Sequence, residues 1–371
     1  MAMWLVIFGL TFLFAAGGII YLYTRFQRFY VVRRIAGDRK VIRWLLALIP
    51  ILVLGCYYLI DRMNAIVVVL NMMLIWIIGD IICWIIRKIR RTDTGKKQSG
   101  PYYTGIAVLI FTCVYLCVGW YLAHHVWRTT YNLTTDKDLG QDTLKVVMFA
   151  DSHMGTTFDG EGFAKQMETV SKEAADIIFI AGDYVDDDST KADMIRSCRA
   201  LGELNPRYGI YYVFGNHDKG YYNNRDFSYA ELTDELKKNG VVVLEDEAVL
   251  VDDSFYVIGR MDAGTDGRKS AAELTNGLNP GKYKIMLDHQ PNDYKAEADS
   301  RVDLVLSGHT HGGQMLPVNK VGEWIGANDR TYGYERIKDT DFIVTSGISD
   351  WAIKFKTGTK SEYVVIDITT K

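Results

Sequence analysis

The sequence has little cysteine, and what it has is placed badly for bridges. Of five cysteines in 371 residues, Cys56, Cys83, Cys113 and Cys117 fall in long apolar runs, leaving Cys198 alone in the polar remainder. No disulfide can form within that remainder, and Cys198 reads as a small buried apolar side chain. There is no internal repeat and no low-complexity tract, so no solenoid organises the chain. The first apolar run lacks the basic leader and small-residue cleavage site of a signal peptide, and it reads as a retained helix.

What is present splits in two. Up to Arg128 there are 15 Lys and Arg against 4 Asp and Glu, and beyond it 27 against 41, so a part at +11 is joined to one at −14. Positive charge interleaved with apolar runs signals membrane topology and argues against nucleic acid as a partner. Four runs, about Met3–Tyr23, Val41–Ile60, Ala65–Ile86 and Tyr102–His124, come near the roughly 20 residues that cross a bilayer as a helix. Pro50 is expected to kink the second. The stretches 24–40 (Arg25, Arg28, Arg33, Arg34, Arg39, Lys40) and 87–101 (Arg87, Lys88, Arg90, Arg91, Lys96, Lys97) are basic, hence cytoplasmic by the positive-inside rule. The expected protein is a multi-pass plasma (inner) membrane protein in which residues 1–128 form a four-helix region and everything beyond residue 125 is extracytoplasmic.

Residues 129–143, "TTYNLTTDKDLGQDT", read as a polar linker. From 144 to 371, short β-rich runs alternate with helix-like segments at about 161–174 and 190–203, an α/β pattern with fully buried strands. Several of these runs end in polar loops: Asp151 and His153 in "FADSH", Asp183 in "IAGD", Asn216, His217 and Asp218 in "FGNHD", His289 in "LDHQP", His309 and His311 in "SGHTH". In open α/β sheets ligands bind at the carboxyl ends of strands, so five separate loops aim polar groups at one place. Five of the seven histidines lie in these motifs. Asp151, His153, Asp183, Asn216, His289, His309 and His311 are what two divalent cations need if one carboxylate bridges them. The mixed nitrogen and oxygen donors suit Mn, Fe or Zn and argue against calcium. Two such metals share a water, lower its pKa and clamp the oxygens of a displacement at phosphorus, which makes phosphate ester hydrolysis the expected reaction.

The ordered set Asp151-Ser-His153, Gly182-Asp183, Gly215-Asn216-His217-Asp218, His289 and Gly308-His309-Thr-His311 resembles the calcineurin-like metallophosphoesterase superfamily over about residues 144–369. The resemblance implies a central β-sandwich flanked by helices. It implies that Asp151, His153 and His311 bind one metal, that Asn216, His289 and His309 bind the other, and that Asp183 bridges them. It also implies attack by a metal-bridging hydroxide, with His217 protonating the leaving oxygen and Asp218 orienting His217. The extended "GHTHGGQ" is similar to a membrane-associated bacterial branch that includes the UDP-2,3-diacylglucosamine pyrophosphatases. A phosphorylated, lipid-linked or cell-envelope substrate and contact with membrane lipids are expected from it. Two other readings stay open: a phosphodiesterase for soluble nucleotides or other phosphoesters with the helices as simple anchor, and a phospho-ligand sensor or transporter without hydrolysis.

Other residues read more plainly. Tyr221 and Tyr222 could line the substrate entrance, and Lys354 could contact phosphate. The run Asp186–Asp188 reads as a solvated loop. His124 and His125, beside Trp120, Tyr121 and Trp127, read as interface anchors. Asp80, inside the third run, reads as snorkelling or interhelically hydrogen-bonded rather than functional.

Overall fold

The computed structural model describes residues 2–89, 101–221 and 224–371. Contacts divide the chain into two units, residues 1–118 and 119–371.

The first unit is helical: α1 (Ala2–Phe26), α2 (Tyr30–Ala36), α3 (Lys40–Ile60), α4 (Arg62–Ile89) and the greater part of α5 (Tyr103–His124). Helices α1, α3, α4 and α5 are each long and apolar enough to cross a membrane. They leave large apolar side chains such as Leu52, Val53 and Leu59 exposed, as a lipid-facing surface does. α3 runs on through Pro50. The stretch 24–40 is not simply a loop, because α2 occupies part of it. Arg90, Arg91, Lys96 and Lys97 lie outside the described residues. Asp80 has a partner in the helical bundle: Arg25 Nη2 lies 2.7 Å from its carboxylate and the Tyr21 hydroxyl donates to it at 2.9 Å. Burying a carboxylate is costly unless it is paired, and here it is.

The second unit is a sandwich of two six-stranded sheets flanked by helices. One sheet has the order β1 (Trp127–Thr135), β12 (Glu362–Thr370), β2 (Thr143–Phe149), β3 (Ile177–Ala181), β4 (Ile210–Val213), β5 (Val241–Val243). The other has the order β10 (Gly333–Ile337), β11 (Thr340–Val344), β9 (Leu304–Ser307), β8 (Tyr283–Leu287), β7 (Phe255–Gly259), β6 (Glu247–Val251). β2, β3, β4 and β5 pair in parallel, as do β7, β8, β9 and β11. Alternate side chains therefore go to opposite faces. Val146, Met148 and Phe179 of the first sheet meet Val257, Ile285, Leu287 and Leu306 of the second in the central layer. Val147, Ile178 and Ile180 point outward under α6 (Gly160–Ser171), α7 (Lys191–Gly202) and α8 (Tyr229–Lys238), in a core that also buries Cys198. Met286 and Val305 do the same on the far side beneath α9 (Ala271–Thr275) and α10 (Tyr294–Asp299).

The stretch expected as a linker, 129–143, is for the most part not one. Trp127–Thr135 is β1, paired in parallel along its whole length with β12. Its residues alternate between half-buried and exposed, so it shows no continuous apolar run. The last turn of α5 also belongs to this unit. Lys356 N donates to Gly119 O at 2.9 Å, and Ser361 donates through N to Leu122 O and through Oγ to Ala123 O. His124 and His125 stack on Trp120 and Tyr121 at ring separations of 4.2 and 5.3 Å, away from any acidic cluster named below.

Candidate metal centre

Every expected ligand follows directly on the carboxyl end of a parallel strand: Asp151 and His153 after β2, Asp183 after β3, Asn216 after β4, His289 after β8, His309 and His311 after β9. Two strands of one sheet and three of the other thus open at the same end of the sandwich, counted as β8 and β9 against β2, β3 and β4. The chain turns sharply at each. Asp151, His153, Asp183, His309 and His311 have φ of 55°, 35°, 53°, 70° and 47°, a left-handed conformation that costs roughly 1–3 kcal/mol at a non-glycine residue and recurs at functional sites. Backbone bonds hold these turns, among them Asp151 N to Gly182 O and His153 N to Asp183 O. The motif glycines have a matching reason. A Cβ on Gly182 would lie 2.5 Å from His289 Nδ1 and one on Gly308 2.5 Å from Asp151 Oδ2, while one on Gly215 would collide with the Asp183 carboxylate.

The donors form two groups. Asp151, His153 and His311 offer atoms within 4.8 Å of one another, and so do Asp183, His289 and His309. Asp183 Oδ2 joins them: it lies 3.1 Å from His289 Nε2 and 3.7 Å from His153 Nε2. His153 Nε2 in turn faces His311 Nε2 at 3.2 Å. Asn216 donates through Nδ2 to the Tyr221 hydroxyl at 2.7 Å, which assigns Oδ1 as the group left over; that oxygen is buried with no hydrogen-bond partner among the described residues. An orphaned buried acceptor beside converging imidazoles and carboxylates is what a cation would satisfy, so the residues fit a metal site. Electrostatics agree. Burial pushes Asp151 up to about 6. Burial would also raise Asp183, yet the charge and hydrogen bond of His289 win and hold it well below the usual carboxylate range. Burial holds His309 down to about 4 and holds His311 well below the usual imidazole range, leaving both imidazoles in the neutral form that ligates metals.

The family model "calcineurin-like phosphoesterase" matches residues 144–313. An uncharacterized metallophosphoesterase of Aquifex aeolicus is 34% identical over 193 residues, covering 50% of this chain and 70% of that protein. The chain belongs to the calcineurin-like phosphoesterases. It is a metal-dependent phosphoester hydrolase. A relative in Bos taurus, a transmembrane protein with metallophosphoesterase domain, is 28% identical over 240 residues, covering 60% of this chain and 52% of that protein.

Around the centre of this phosphoesterase, several side chains stand elsewhere than expected. Asp218 does not orient His217. Its carboxylate accepts from the backbone amides of Asp183, Tyr184, Val185 and Gly215 at 2.7–3.1 Å, clamping the β3 and β4 loops together. The orienting contact comes from Asp186, whose two oxygens take His153 Nδ1 and His217 Nδ1, each at 3.0 Å. Asp186 is therefore no solvated loop residue, and nothing in the sequence sets it apart from Asp187 and Asp188. Burial would lower His217, but its hydrogen bond to Asp186 and the charges of Asp183 and Asp186 outweigh that and raise it to about 9. His289 is fixed likewise, Nδ1 against Ala181 O at 2.7 Å, which turns Nε2 to the centre.

Tyr221 lies over the site, edge-on to His217 at 5.1 Å between rings; Tyr222 lies outside the described residues. Lys354 is exposed. Two residues on, Lys356 is buried, ion-paired to Asp350 at 3.1 Å and donating to Ser346 O and Ser349 O. Gln314, the end of the GGQ extension, donates to Asp350 Oδ1, Ile353 O and Phe355 O. The extension ties the His309–His311 loop to this late segment.

Proposed function

We propose that this chain is a membrane-anchored phosphoesterase that holds two divalent cations and hydrolyses a phosphodiester, phosphomonoester or diphosphate carried on a lipid-linked or cell-envelope molecule. The observation that supports two cations is Asp183: one oxygen stands between the imidazoles of both donor groups. Asp151, His153 and His311 would hold one ion, Asn216, His289 and His309 the other, with Mn, Fe or Zn as the metal. Two such ions, when bound, neutralise phosphate charge and make water nucleophilic near neutral pH.

The chain's own residues do the rest. Asp186 fixes the His217 tautomer by accepting from Nδ1, so the second proton sits on Nε2 and is delivered to the oxygen that leaves phosphorus. Asp218 keeps the β3 and β4 loops in register, so that Asp183 and Asn216 present their oxygens together. Tyr221 holds the Asn216 amide in the orientation that frees Oδ1. The catalytic domain is assigned to the extracytoplasmic face by the basic stretches 24–40 and 87–101. Helices at the membrane raise the effective concentration of a lipid-borne substrate, which supports the lipid-linked reading over a soluble nucleotide.

The test is full-length protein loaded with Mn²⁺ and assayed on bis-aryl and mono-aryl phosphates and on lipid phosphates. His217→Ala is expected to lower kcat by roughly 10²–10⁴ with metal content unchanged. A wild-type protein that cleaves none of these substrates, or a His217→Ala variant as fast as wild type, would overturn the reading.

A further inference from the structure

The helical unit carries a cavity that the phosphoesterase reaction does not use. It measures about 590 Å³. Its wall includes Arg28 between α1 and α2, Arg33 on α2, Arg43 on α3, and Asp80, Cys83, Trp84 and Arg87 on α4, with Thr24 of α1 and Thr104 of α5 beside them. The α4 positions are spaced i, i+3, i+4 and i+7, the spacing of one helix face. Four guanidiniums therefore line one space.

Guanidinium keeps its proton at any physiological pH, so this charge cannot be relieved by deprotonation. Asp80 is the one carboxylate among the described lining residues, and it is engaged by Arg25 at 2.7 Å and by the Tyr21 hydroxyl. Arg43 Nε is buried with no hydrogen-bond partner among the described residues. Such a space favours an anion, and arginine forks match phosphate oxygens in particular. The surroundings select the kind of phosphate. Trp84 on the wall is 61% exposed, and Ile81 near it on α4 and Val41, two residues before Arg43 on α3, are also exposed apolar side chains of candidate spans. An anionic head with apolar tails meets both surfaces, whereas inorganic phosphate meets only one.

We propose that this cavity binds the phosphate headgroup of an anionic phospholipid, making the helical unit a lipid-binding element as well as an anchor. A basic pocket between helices at the positively charged end of the spans is where such headgroups are held. The proposal does not depend on the phosphoesterase reaction, and its test contains no turnover.

Full-length protein in detergent would be examined by native mass spectrometry and thermal unfolding with added phosphatidylglycerol, phosphatidylcholine or inorganic phosphate. Phosphatidylglycerol is expected to be retained and to raise the unfolding temperature, with the other two ineffective. Arg33→Gln with Arg43→Gln should weaken retention at least about tenfold. Arg34→Gln with Arg39→Gln, which removes the same charge from the same stretch outside the cavity, should not. Restoring charge with Arg33→Lys and Arg43→Lys should recover part of the binding, and Arg87→Gln on the exposed rim gives the same comparison if the inner pair fails to fold. Equal loss in the two glutamine pairs, equal effect of phosphatidylcholine, or equal effect of inorganic phosphate would each overturn the proposal.

Discussion

Asp186 shows how much a single carboxylate can do from outside the ligand set. It receives His153 through one oxygen and His217 through the other, so one side chain orients both a candidate ligand and the candidate acid. Asp186→Asn keeps one acceptor oxygen and sets an NH2 donor against the other imidazole N–H. We expect kcat on an aryl phosphate to fall roughly 10–100-fold with a small change in KM, the usual cost of losing an outer partner. Steady-state kinetics of the metal-loaded protein check this. Gly308 tests the packing of the same centre. A Cβ there meets Asp151 Oδ2 at 2.5 Å, so Gly308→Ala should lower the metal content of purified protein, measured by elemental analysis, while the sandwich strands stay formed by circular dichroism. The seven ligand candidates could be read from residue type and order alone. Asp186 could not, because in one dimension it is the first of three aspartates on a loop. The bond that distinguishes it from its neighbours exists only when β2, β3 and β4 lie side by side.

Among the elements, those buried on both faces were legible and the edge strand β1 was not. β2, β3, β4, β8 and β9 are continuous apolar runs because both of their faces meet packed layers. β1 lies at an edge of its sheet with every second residue exposed, and its sequence reads as linker. The late segment 350–361 was hidden for another reason: its stability comes from a buried charge. Lys356 and Asp350 are both fully buried, 3.1 Å apart, and the ammonium also donates to two carbonyls. Lys356→Met strands the Asp350 carboxylate, and breaking one side of such a pair costs about 3–5 kcal/mol. The expected outcome is a clear fall in unfolding temperature of the full chain by differential scanning fluorimetry. Because Gln314 also holds this segment, the loop bearing His309 and His311 should loosen, read as a weaker metal affinity.

At the scale of the molecule, the centre is built from loops that carry strained backbone and converging charge, so metal and stability are linked. A ligand that binds only the folded state at a hundred times its Kd stabilises it by about 2.7 kcal/mol. Stripping the metal with a chelator is expected to abolish phosphoesterase activity and to lower the unfolding temperature of the sandwich. Both should return on adding Mn²⁺ and not Ca²⁺. An unfolding temperature that ignores the chelator would show that the donors hold themselves together without a cation.

Local order in the chain was enough to specify the candidate membrane helices, the α/β class and the seven candidate donor residues, because spans, buried strands and strand-end loops each leave a signature within about 20 residues of sequence. Three-dimensional contact decided the rest. It turned Asp218 from an orienting group into a clamp on backbone amides, gave Asp186 the role of holding two imidazoles, buried Lys356 against Asp350, and gathered four arginines into one cavity. Each of those outcomes depends on hydrogen bonds or charges between segments 31 or more residues apart, or on which way a side chain turns within one segment, and neither is encoded in periodicity or spacing.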